Sequence, residues 1–543
     1  MILSRHSLST VSYVSRRFVQ NLPRNVRLEL DSEVNKQLTS DNTKLAFFKE
    51  HKGKFYHKNV LPKQLEETIN TVLSDIEPQR LKVDMKLLAD HLAERHLPME
   101  QRELQTIAQK VIQNLIDTEP RMNTLALSPE HRGEINLKRQ HELVKRLKSS
   151  IYHWQPLNFD EYKSKIYLAT NFASHYAMLL QIFNEIKKRE RDFLPVRLFD
   201  FGSGVGSVMW AAMHVWGKQA FAEILNVDKS REMNELSQLI LQKGQPNKTP
   251  LVHGVVYRQF MPHGRELELI RRKNLDQRND LIPIGDRFFE GISRRNVFDL
   301  VVADHTLFEF ENRFERLKAV QSLWYNVKPG GFLILVERGN IHGYTAINEA
   351  RDNILSRIAV SAKTIDNNDV EEMNDGESLK EHDDSSITKR YSRAHIFSPC
   401  PHDLTCPKAQ LNIPCRIATR FRPLQIFDFQ QNVPDFEIAQ MSYIVVRKGE
   451  RDKNDIYGTW PRVIEPIVDR KNHQHVRLCC PNGEYVNVPI SKNKHGAGLH
   501  RLSHHAAPGD IFPVTAELIE DKSTTNKENE IISSPRRRRA YRT

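Results

Sequence analysis

Apolar residues recur at different spacings along the chain, and the spacing predicts which elements form. Between about residues 29 and 150, Leu, Ile and Val recur every three or four positions among Lys, Arg and Glu, as in LPKQLEETINTVLSDI, a pattern typical of amphipathic helices. A longer helix is predicted in YLATNFASHYAMLLQIFNEIKKRERDF, and its apolar face carries Tyr176, Leu179, Leu180, Phe183 and Ile186. We expect this face to pack on a neighbouring sheet.

From Val196 the pattern changes to short apolar runs that end in acidic or turn residues: VRLFDFGSG, AEILNVD, FDLVVAD and PGGFLILVE. Helical segments separate the runs, and this alternation predicts an α/β domain with a mostly parallel sheet. A second, strand-rich region is predicted from about 395 to 513. The segment 364–386 carries nine acids and one lysine, so we expect a solvated loop there.

A chain of 543 residues is long enough for several domains. The turn after the first run carries an acid and three glycines in the order D-x-G-x-G-x-G, from Asp200 to Gly206, which is typical of S-adenosylmethionine (SAM) methyltransferases. We therefore predict a Rossmann-like α/β fold of the SAM methyltransferase type, with a helical region before it. The strand-rich region after it carries all five cysteines and is predicted to be a cysteine-ligated metal region. The predicted boundaries are a transit peptide at 1–28, a helical region at 29–150, the methyltransferase-like domain at 151–363, an acidic disordered insert at 364–390, the strand-rich metal region at 391–516, and a disordered basic tail at 517–543.

The charge distribution bears on location and partners. Residues 1–28 contain five arginines, five serines and no acid, which predicts a mitochondrial transit peptide; the alternative is an ordinary basic, disordered tail. The net charge is +12, and a basic protein suits a polyanionic partner such as RNA, although charge alone is weak evidence. The best apolar runs stop at about eight residues, well short of a bilayer span, so we expect no membrane insertion.

The segment LFDFGSGVGS places Asp200 at a strand end and Gly202, Gly204 and Gly206 in the following turn. Glycine lets the backbone approach a ligand closely, and the D-x-G-x-G-x-G spacing is typical of SAM methyltransferases rather than of dinucleotide-binding proteins. Two further acids end later strands on the same sheet edge, where open α/β sheets bind ligands. These acids are Asp228, which is placed to accept from ribose hydroxyls, and Asp304. No residue stands out as catalytic, because the motif of exocyclic-amine methyltransferases is absent after Asp304.

The five cysteines cluster unevenly: Cys400, Cys406 and Cys415 fall close together among prolines, and Cys479 and Cys480 follow later. A reducing compartment and an odd number disfavour disulfides. An iron-sulfur cluster, which tolerates wide spacing, a zinc site and simple buried thiols all remain open from spacing alone.

Several segments together resemble the methyltransferase-like mitochondrial small ribosomal subunit assembly family. The matching segments are YLATNFASHYAML, LFDFGSGVGS, FDLVVADHTLFEF, VKPGGFLILVERGNIHGYTAINEAR, PCPHDLTCP, MSYIVVRKG and LCCPNG. The resemblance covers about Tyr167 to Pro513. Two positions of the first segment, Asn171 and Ala173, depart from the Arg and Pro usual in the family.

The resemblance implies a mitochondrial matrix protein that binds small-subunit rRNA and ribosomal proteins during assembly. It implies a 4Fe-4S cluster on Cys400, Cys406, Cys415 and Cys479, with Cys480 as the alternative fourth ligand, and it adds support for SAM at the Gly202 loop. Two functions stay open: an RNA-binding assembly factor that supports mitochondrial translation, and an active SAM-dependent rRNA methyltransferase.

Overall fold

A computed structural model of the protein describes residues 26–39, 59–100, 104–110, 156–259, 298–371, 393–426, 435–452 and 455–518, with a few single residues between 113 and 145. Two compact units divide the chain. Residues 55–454 form what we call the α/β unit, and residues 1–54 with 455–543 form the terminal unit.

The described strands and helices follow in chain order. The strands are β1 (Val26–Leu30), β2 (Arg197–Phe201), β3 (Glu223–Val227), β4 (Val255–Arg258), β5 (Phe298–Asp304), β6 (Val327–Arg338), β7 (Ala394–Ser398), β8 (Ile417–Phe421), β9 (Glu437–Lys448), β10 (Arg462–Val463), β11 (Val468–Asp469), β12 (Gln474–Cys479), β13 (Tyr485–Ile490) and β14 (Val514–Leu518). The helices are α1 (Ser32–Thr39), α2 (Lys63–Leu73), α3 (Pro78–Glu94), α4 (Glu161–Arg189), α5 (Ser207–Trp216), α6 (Arg231–Leu241), α7 (Arg313–Tyr325), α8 (Ile341–Glu371) and α9 (Lys492–His505).

One mixed sheet organises the α/β unit. Its strand order is β4-β3-β2-β5-β6-β9-β7, and β8 also pairs with β9. The pairs from β4 through β6 are parallel, whereas β9 runs antiparallel to both β6 and β7. The order reverses between β2 and β5, as in doubly wound folds, so the predicted Rossmann-like α/β fold is confirmed.

The sheet buries both faces because its parallel strands are apolar at successive positions. On one face, Leu198, Ile224 and Leu300 pack with residues of α2, α4, α5 and α6. On the other, Phe199 and Leu225, the next residues along two of the same strands, pack with α7 and α8. The two cores therefore follow the period of two that the strands impose.

Helix α4 confirms the predicted core helix. Its side-chain cap at Asp160 accepts a hydrogen bond from the Lys163 N–H at 2.8 Å, and three basic residues occupy its last turn, where they favour the negative end of the helix dipole. The predicted face is fully in the core; its residues Tyr176, Leu179, Leu180, Phe183 and Ile186 are at most 5% exposed.

The terminal unit joins distant parts of the chain. Strand β1 pairs antiparallel with β14, from Val26 opposite Leu518 to Leu30 opposite Val514. Its second sheet has the order β10-β12-β11, with β13 paired to β12. Within the described residues, no helix of the protein combines the length and apolar character needed to cross a bilayer.

Several observed boundaries differ from those expected from the sequence. Strand β1 begins at Val26, inside the segment expected to be a transit peptide, while residues 1–25 lie outside the described part. Helix α8 continues to Glu371, inside the expected disordered insert. The expected strand-rich region at 391–516 divides at residue 454 between the two units. The position of β1 depends on its pairing with β14 at the other end of the described chain, which local polarity does not show.

Candidate functional site

The glycine loop connects β2 to α5 at the carboxyl edge of the sheet. Gly202, Gly204 and Gly206 have φ values of 72°, 49° and 84°, where glycine is favoured because it has no Cβ. A Cβ on Gly202 would lie 2.1 Å from Thr306 Oγ1, so close packing also requires glycine there. A Cβ on Gly204 would meet nothing nearer than Tyr167, at 4.0 Å. The loop therefore packs tightly at its first glycine and is open at its second.

Asp228 directly follows β3 and forms a hydrogen bond with the glycine loop. Its Oδ2 accepts a hydrogen bond from the Gly204 N–H at 2.8 Å, and its Oδ1 accepts from the Ser230 N–H at 2.8 Å. Burial raises the pKa of Asp228, and the two backbone donors oppose this effect. The carboxylate thus links the strand end to the open glycine.

Asp304 ends β5 and is held by two histidines. The Nδ1–H of His175, on α4, donates to Asp304 Oδ2 at 2.8 Å, and the Nδ1–H of His305 donates to Oδ1 at 2.7 Å. Although burial alone would raise the pKa of Asp304, the two imidazoles hold it well below its usual range. Burial lowers the pKa of His305 to about 4, so its imidazole is neutral near pH 7. Both oxygens of Asp304 are therefore engaged by histidines.

The same three side chains are the only group, among the described parts of the chain, with three metal-ligand atoms within 4.8 Å of one another. One ion bound by both imidazoles would need their lone pairs to converge. The rings of His175 and His305 are stacked, with centroids 3.9 Å apart and planes 23° apart, so their lone pairs lie in two nearly parallel planes. Each Nδ1 is also committed to Asp304. The group suits hydrogen bonding and proton transfer better than metal binding.

Asp200 lies beneath the glycine loop rather than in an open site. It is fully buried, and neither carboxyl oxygen has a hydrogen-bond partner among the described residues. Burial, followed by repulsion from Asp304 and Asp228, raises its pKa well above the usual value. Asp200 therefore favours the neutral, protonated form inside the protein.

A cavity of about 330 Å³ opens at this edge of the sheet, and we call it the cleft. Its volume falls at the small end of the range for sites that hold drug-sized ligands. Of the residues predicted from the sequence, it is lined by Gly202, Gly204, Asp228 and Asp304. Asp200 and Gly206 are not part of its lining.

The cleft also contains functional groups that the sequence did not reveal. Its lining includes His175, His305, Tyr167, Glu337 and Arg338. A polar residue on an otherwise apolar helix face, as His175 is on α4, was a usable signal. Both acidic and basic groups line the cavity, which suits a ligand that carries both charges.

The three cysteines of the α/β unit lie between the end of β7 and the start of β8. The Tyr344 hydroxyl, from the first turns of α8, donates a hydrogen bond to Cys406 Sγ at 3.2 Å. Burial raises the pKa of Tyr344, and the neighbouring thiols of Cys406, Cys415 and Cys400 raise it further. Cys406 is thus in direct contact with Tyr344, and Cys415 and Cys400 lie near enough to act on it electrostatically.

These thiols are grouped but not tightly convergent. Since the only described group with three ligand atoms within 4.8 Å is the one at Asp304, at least one pair among Cys400, Cys406 and Cys415 is further apart than that. A single tetrahedral zinc, with Zn–S bonds of about 2.3 Å, would hold its sulfurs about 3.8 Å apart. The three sulfurs are therefore not all as close to one another as in a zinc-bound set.

Cys479 and Cys480 belong to the terminal unit, at the end of β12. Cys479 pairs across the sheet with Arg462 and Tyr485. The Cys480 N–H donates to the carbonyl of Glu484 at 2.9 Å in the turn to β13. Burial raises the pKa of Cys480 to about 12, and both thiols are buried.

Comparison with known proteins identifies similar chains. The sequence profile of the family described as mitochondrial small ribosomal subunit Rsm22 matches residues 161–365 and 380–513. The human mitochondrial ribosome assembly protein METTL17 is 28% identical over 470 residues, which cover 87% of this chain and 86% of the human protein. The mitochondrial ribosome assembly protein RSM22 of Saccharomyces cerevisiae is 21% identical over 434 residues, which cover 65% of this chain and 67% of the yeast protein.

Solved structures with similarity to this chain include methyltransferases. A putative SAM-dependent methyltransferase from Methanococcus maripaludis is 14% identical with a TM-score of 0.25, and the alignment covers 55% of this chain and 98% of that one. The YcgJ protein of Bacillus subtilis is 14% identical with a TM-score of 0.23, covering 51% of this chain and 99% of that one.

Proposed function

Because this chain belongs to the mitochondrial small ribosomal subunit Rsm22 family, we propose that it is an assembly factor of the mitochondrial small ribosomal subunit and acts in the matrix. The observation that carries this proposal is the family match, which covers the α/β unit from residue 161 onward except 366–379 and reaches residue 513 in the terminal unit. Relatives from human and yeast are both named as mitochondrial ribosome assembly proteins. Its partners would be small-subunit rRNA and the ribosomal proteins of the assembling subunit.

The test is sedimentation of a tagged protein from mitochondria of the source organism. We expect it to travel with small-subunit precursors, and we expect its depletion to lower the amount of mature small subunit while the large subunit persists. Cosedimentation with neither subunit, together with normal small-subunit levels after depletion, would refute the assembly role.

We propose that the protein binds SAM weakly in the cleft. Gly204 opens onto the cavity, and Asp228 lies against that glycine with its carboxylate in the lining. SAM carries an ammonium, a sulfonium and a carboxylate, which suits a cavity lined by both acids and Arg338. Asp304 would act on this ligand through His175 and His305, since both of its oxygens accept from them.

Calorimetry with SAM tests this site. Gly204→Arg should abolish binding because the side chain would fill the cleft. Gly217→Arg is the matched control: this glycine also has positive φ, 95°, with nothing within 4 Å of a Cβ, and it is not in the cleft lining. Equal affinity in wild type and Gly204→Arg would refute SAM binding at the loop.

We propose that rRNA binding is mainly electrostatic. The support is the net charge of +12, with five arginines concentrated in residues 534–543. Each Lys or Arg that neutralises a phosphate releases a counterion, so affinity should fall steeply as salt rises. Replacing those five arginines by glutamine keeps the length of the chain and should reduce the slope of log K against log salt. An unchanged slope would show that the tail contacts no phosphate.

We propose that Cys400, Cys406 and Cys415 are ligands of a 4Fe-4S cluster. Two observations support this assignment: Cys406 contacts Tyr344, on which Cys415 and Cys400 act electrostatically, and the three sulfurs are not all within 4.8 Å of one another, as a single zinc would require. The fourth ligand, Cys479, is proposed from the sequence resemblance, and Cys480 is the alternative. A cluster held by four thiolates would contribute folding free energy, since such a site does not exist in an unfolded chain.

Anaerobic purification tests the cluster. We expect brown protein with roughly four iron and four sulfide per chain. Cys406→Ser should abolish the colour and reduce rRNA association, whereas Cys480→Ser should be mild if Cys479 is the ligand. Colourless protein with about one zinc per chain, from cells able to build clusters, would favour the zinc alternative.

An rRNA methyltransferase remains the second candidate, and one observation favours it. His175 and His305 present imidazoles in the cleft, and imidazole is a common proton acceptor in catalysis. Transfer of a labelled methyl group from SAM to small-subunit rRNA that is lost in Gly204→Arg would establish the enzyme. Normal subunit assembly by Gly204→Arg, without any transfer by wild type, would leave the assembly role alone.

A further inference from the structure

Helix α8 carries two polar side chains that contact the loop between β7 and β8, residues 399–416, which contains Cys400, Cys406 and Cys415. Tyr344 and Arg351 are seven residues apart, about two helical turns, and therefore share one face of the helix. Both are buried, with exposures of 6% and 3%. Burying an arginine and a tyrosine hydroxyl costs free energy unless both groups form hydrogen bonds, so we expect polar partners on this face of the helix.

Tyr344 makes a direct contact with one thiol. Its hydroxyl donates to Cys406 Sγ at 3.2 Å, and Cys406 itself is 7% exposed. This bond spans 62 positions of the sequence, so the fold and not local chain geometry creates it. A hydroxyl in this place donates to whatever form the sulfur takes, thiol, thiolate or metal-bound thiolate.

Arg351 holds the loop between two cysteines. Its guanidinium donates to the Asp352 carboxylate at 2.7 Å, to the carbonyl of His402 at 3.4 Å and, in a closer contact, to the carbonyl of Leu404. These carbonyls lie between Cys400 and Cys406, so the arginine sets the shape of that connection. Its Nε–H has no hydrogen-bond partner among the described residues although it is buried. This N–H is therefore available to a further acceptor, and Cys400 and Cys406 lie near enough to act on the Arg351 guanidinium electrostatically.

We propose that Tyr344 and Arg351 are positioning residues that orient the cysteine ligands and stabilise negative charge on the sulfurs of the bound cluster. This inference rests on the proposed 4Fe-4S cluster and extends it to groups outside the ligand set. Hydrogen bonds to cluster sulfurs and nearby charge are among the factors that set reduction potential, and outer partners of metal ligands also govern metal retention. Donors and a positive charge favour the reduced, more negative state and therefore raise the potential.

The experiment compares full-length wild type with Tyr344→Phe, prepared without oxygen. Tyr344→Phe removes one hydroxyl and leaves the ring in place. We expect it to retain iron and sulfide, to show a more negative midpoint potential in a redox titration followed by electron paramagnetic resonance, and to lose its cluster several-fold faster to an iron chelator.

Tyr257→Phe is the matched control, because its hydroxyl contacts Ser237 and not the cysteines. It should leave both the potential and the rate of cluster loss unchanged. Arg351→Lys is a second variant: it keeps the charge but loses the planar fork, so it should accelerate cluster loss with a smaller change in potential.

The outcomes separate this inference from the proposal beneath it. Wild type that holds no iron-sulfur cluster would overturn the cluster itself. Wild type that holds a cluster, with both Tyr344→Phe and Arg351→Lys matching it in potential and in rate of loss, would overturn the positioning role alone. Should Tyr344→Phe fail to fold, the Arg351→Lys measurements decide the outcome.

Discussion

Replacing Glu337 by glutamine should remove a specific pH dependence from the stability of the α/β unit. Glu337 is the second-to-last residue of β6, lines the cleft and is 1% exposed. Its Oε1 accepts a hydrogen bond from the Leu307 N–H at 2.7 Å. Burial raises the pKa of Glu337 to about 8, against the opposing effect of that bond. Glutamine has nearly the same shape, keeps an acceptor for the Leu307 donor and carries no charge at any pH.

The sign follows from proton binding. The pKa of a glutamate in an unfolded chain is about 4.3, whereas the pKa of Glu337 in the folded protein is about 8. Between those values the folded state holds one more proton than the unfolded state, so the free energy of unfolding falls as the pH rises. From pH 6 to pH 8 the loss from this one group is about 2 kcal/mol. For a unit of this size that corresponds to a shift in midpoint temperature of roughly 2 to 4 °C.

The assay is thermal or urea unfolding of wild type and Glu337→Gln at a series of pH values. Taking the difference between the two proteins cancels the other titrating groups. We expect the free energy of unfolding of Glu337→Gln, relative to that of wild type, to increase steadily from pH 6 to pH 8. Glu67→Gln, at a glutamate whose side chain is 64% exposed, controls for loss of an ordinary charge. Parallel pH curves for wild type and Glu337→Gln would refute the reasoning, because the carboxyl would then titrate alike in both states.

Three further predictions concern stability. Phe183→Ala, at a fully buried position of α4, should lower the free energy of unfolding by about 3 to 5 kcal/mol, and a loss below about 1 kcal/mol would show that the site repacks. Gly254→Ala should lower the melting temperature more than Gly330→Ala, because a Cβ on Gly254 would lie 2.3 Å from the Ala222 carbonyl while one on Gly330 meets nothing within 4 Å; equal effects would contradict this. Burial lowers the pKa of Lys448 to about 8, so above pH 8 the unfolded state holds the extra proton and wild type should gain stability relative to Lys448→Met up to about pH 10, as urea unfolding can measure.

The sequence determined most of the elements of the α/β unit. The four apolar runs recognised from Val196 onward all form strands of one sheet. Helix α4 buries the predicted face because a spacing of 3.6 residues places those side chains on one side of any helix. The three glycines are all in the left-handed region, as the turn after β2 requires. These features depend on local geometry, so the order of residues was enough to predict them.

The pattern of apolar residues did not predict which strands pair with one another. Strands β7, β8 and β9 looked like part of a separate region, yet they extend the main sheet beyond β6. Strand β1 finds its partner in β14, at the opposite end of the described chain. The alternation of apolar and polar residues along a strand predicts which side chains are buried. Which strand it pairs with depends on how the whole chain packs.

The chemistry of the two candidate sites divides in the same way. The residue types were visible in the sequence: the acids at strand ends, the glycine loop and the crowded cysteines. Only the tertiary structure brings His175 to Asp304 across 129 positions and Tyr344 to Cys406 across 62. Only the tertiary structure shows that Asp200 is buried. Its burial raises the pKa of its carboxyl group and favours the uncharged form. Burial and long-range contacts set the protonation and partners of a side chain, and both are properties of the packed molecule rather than of any short segment.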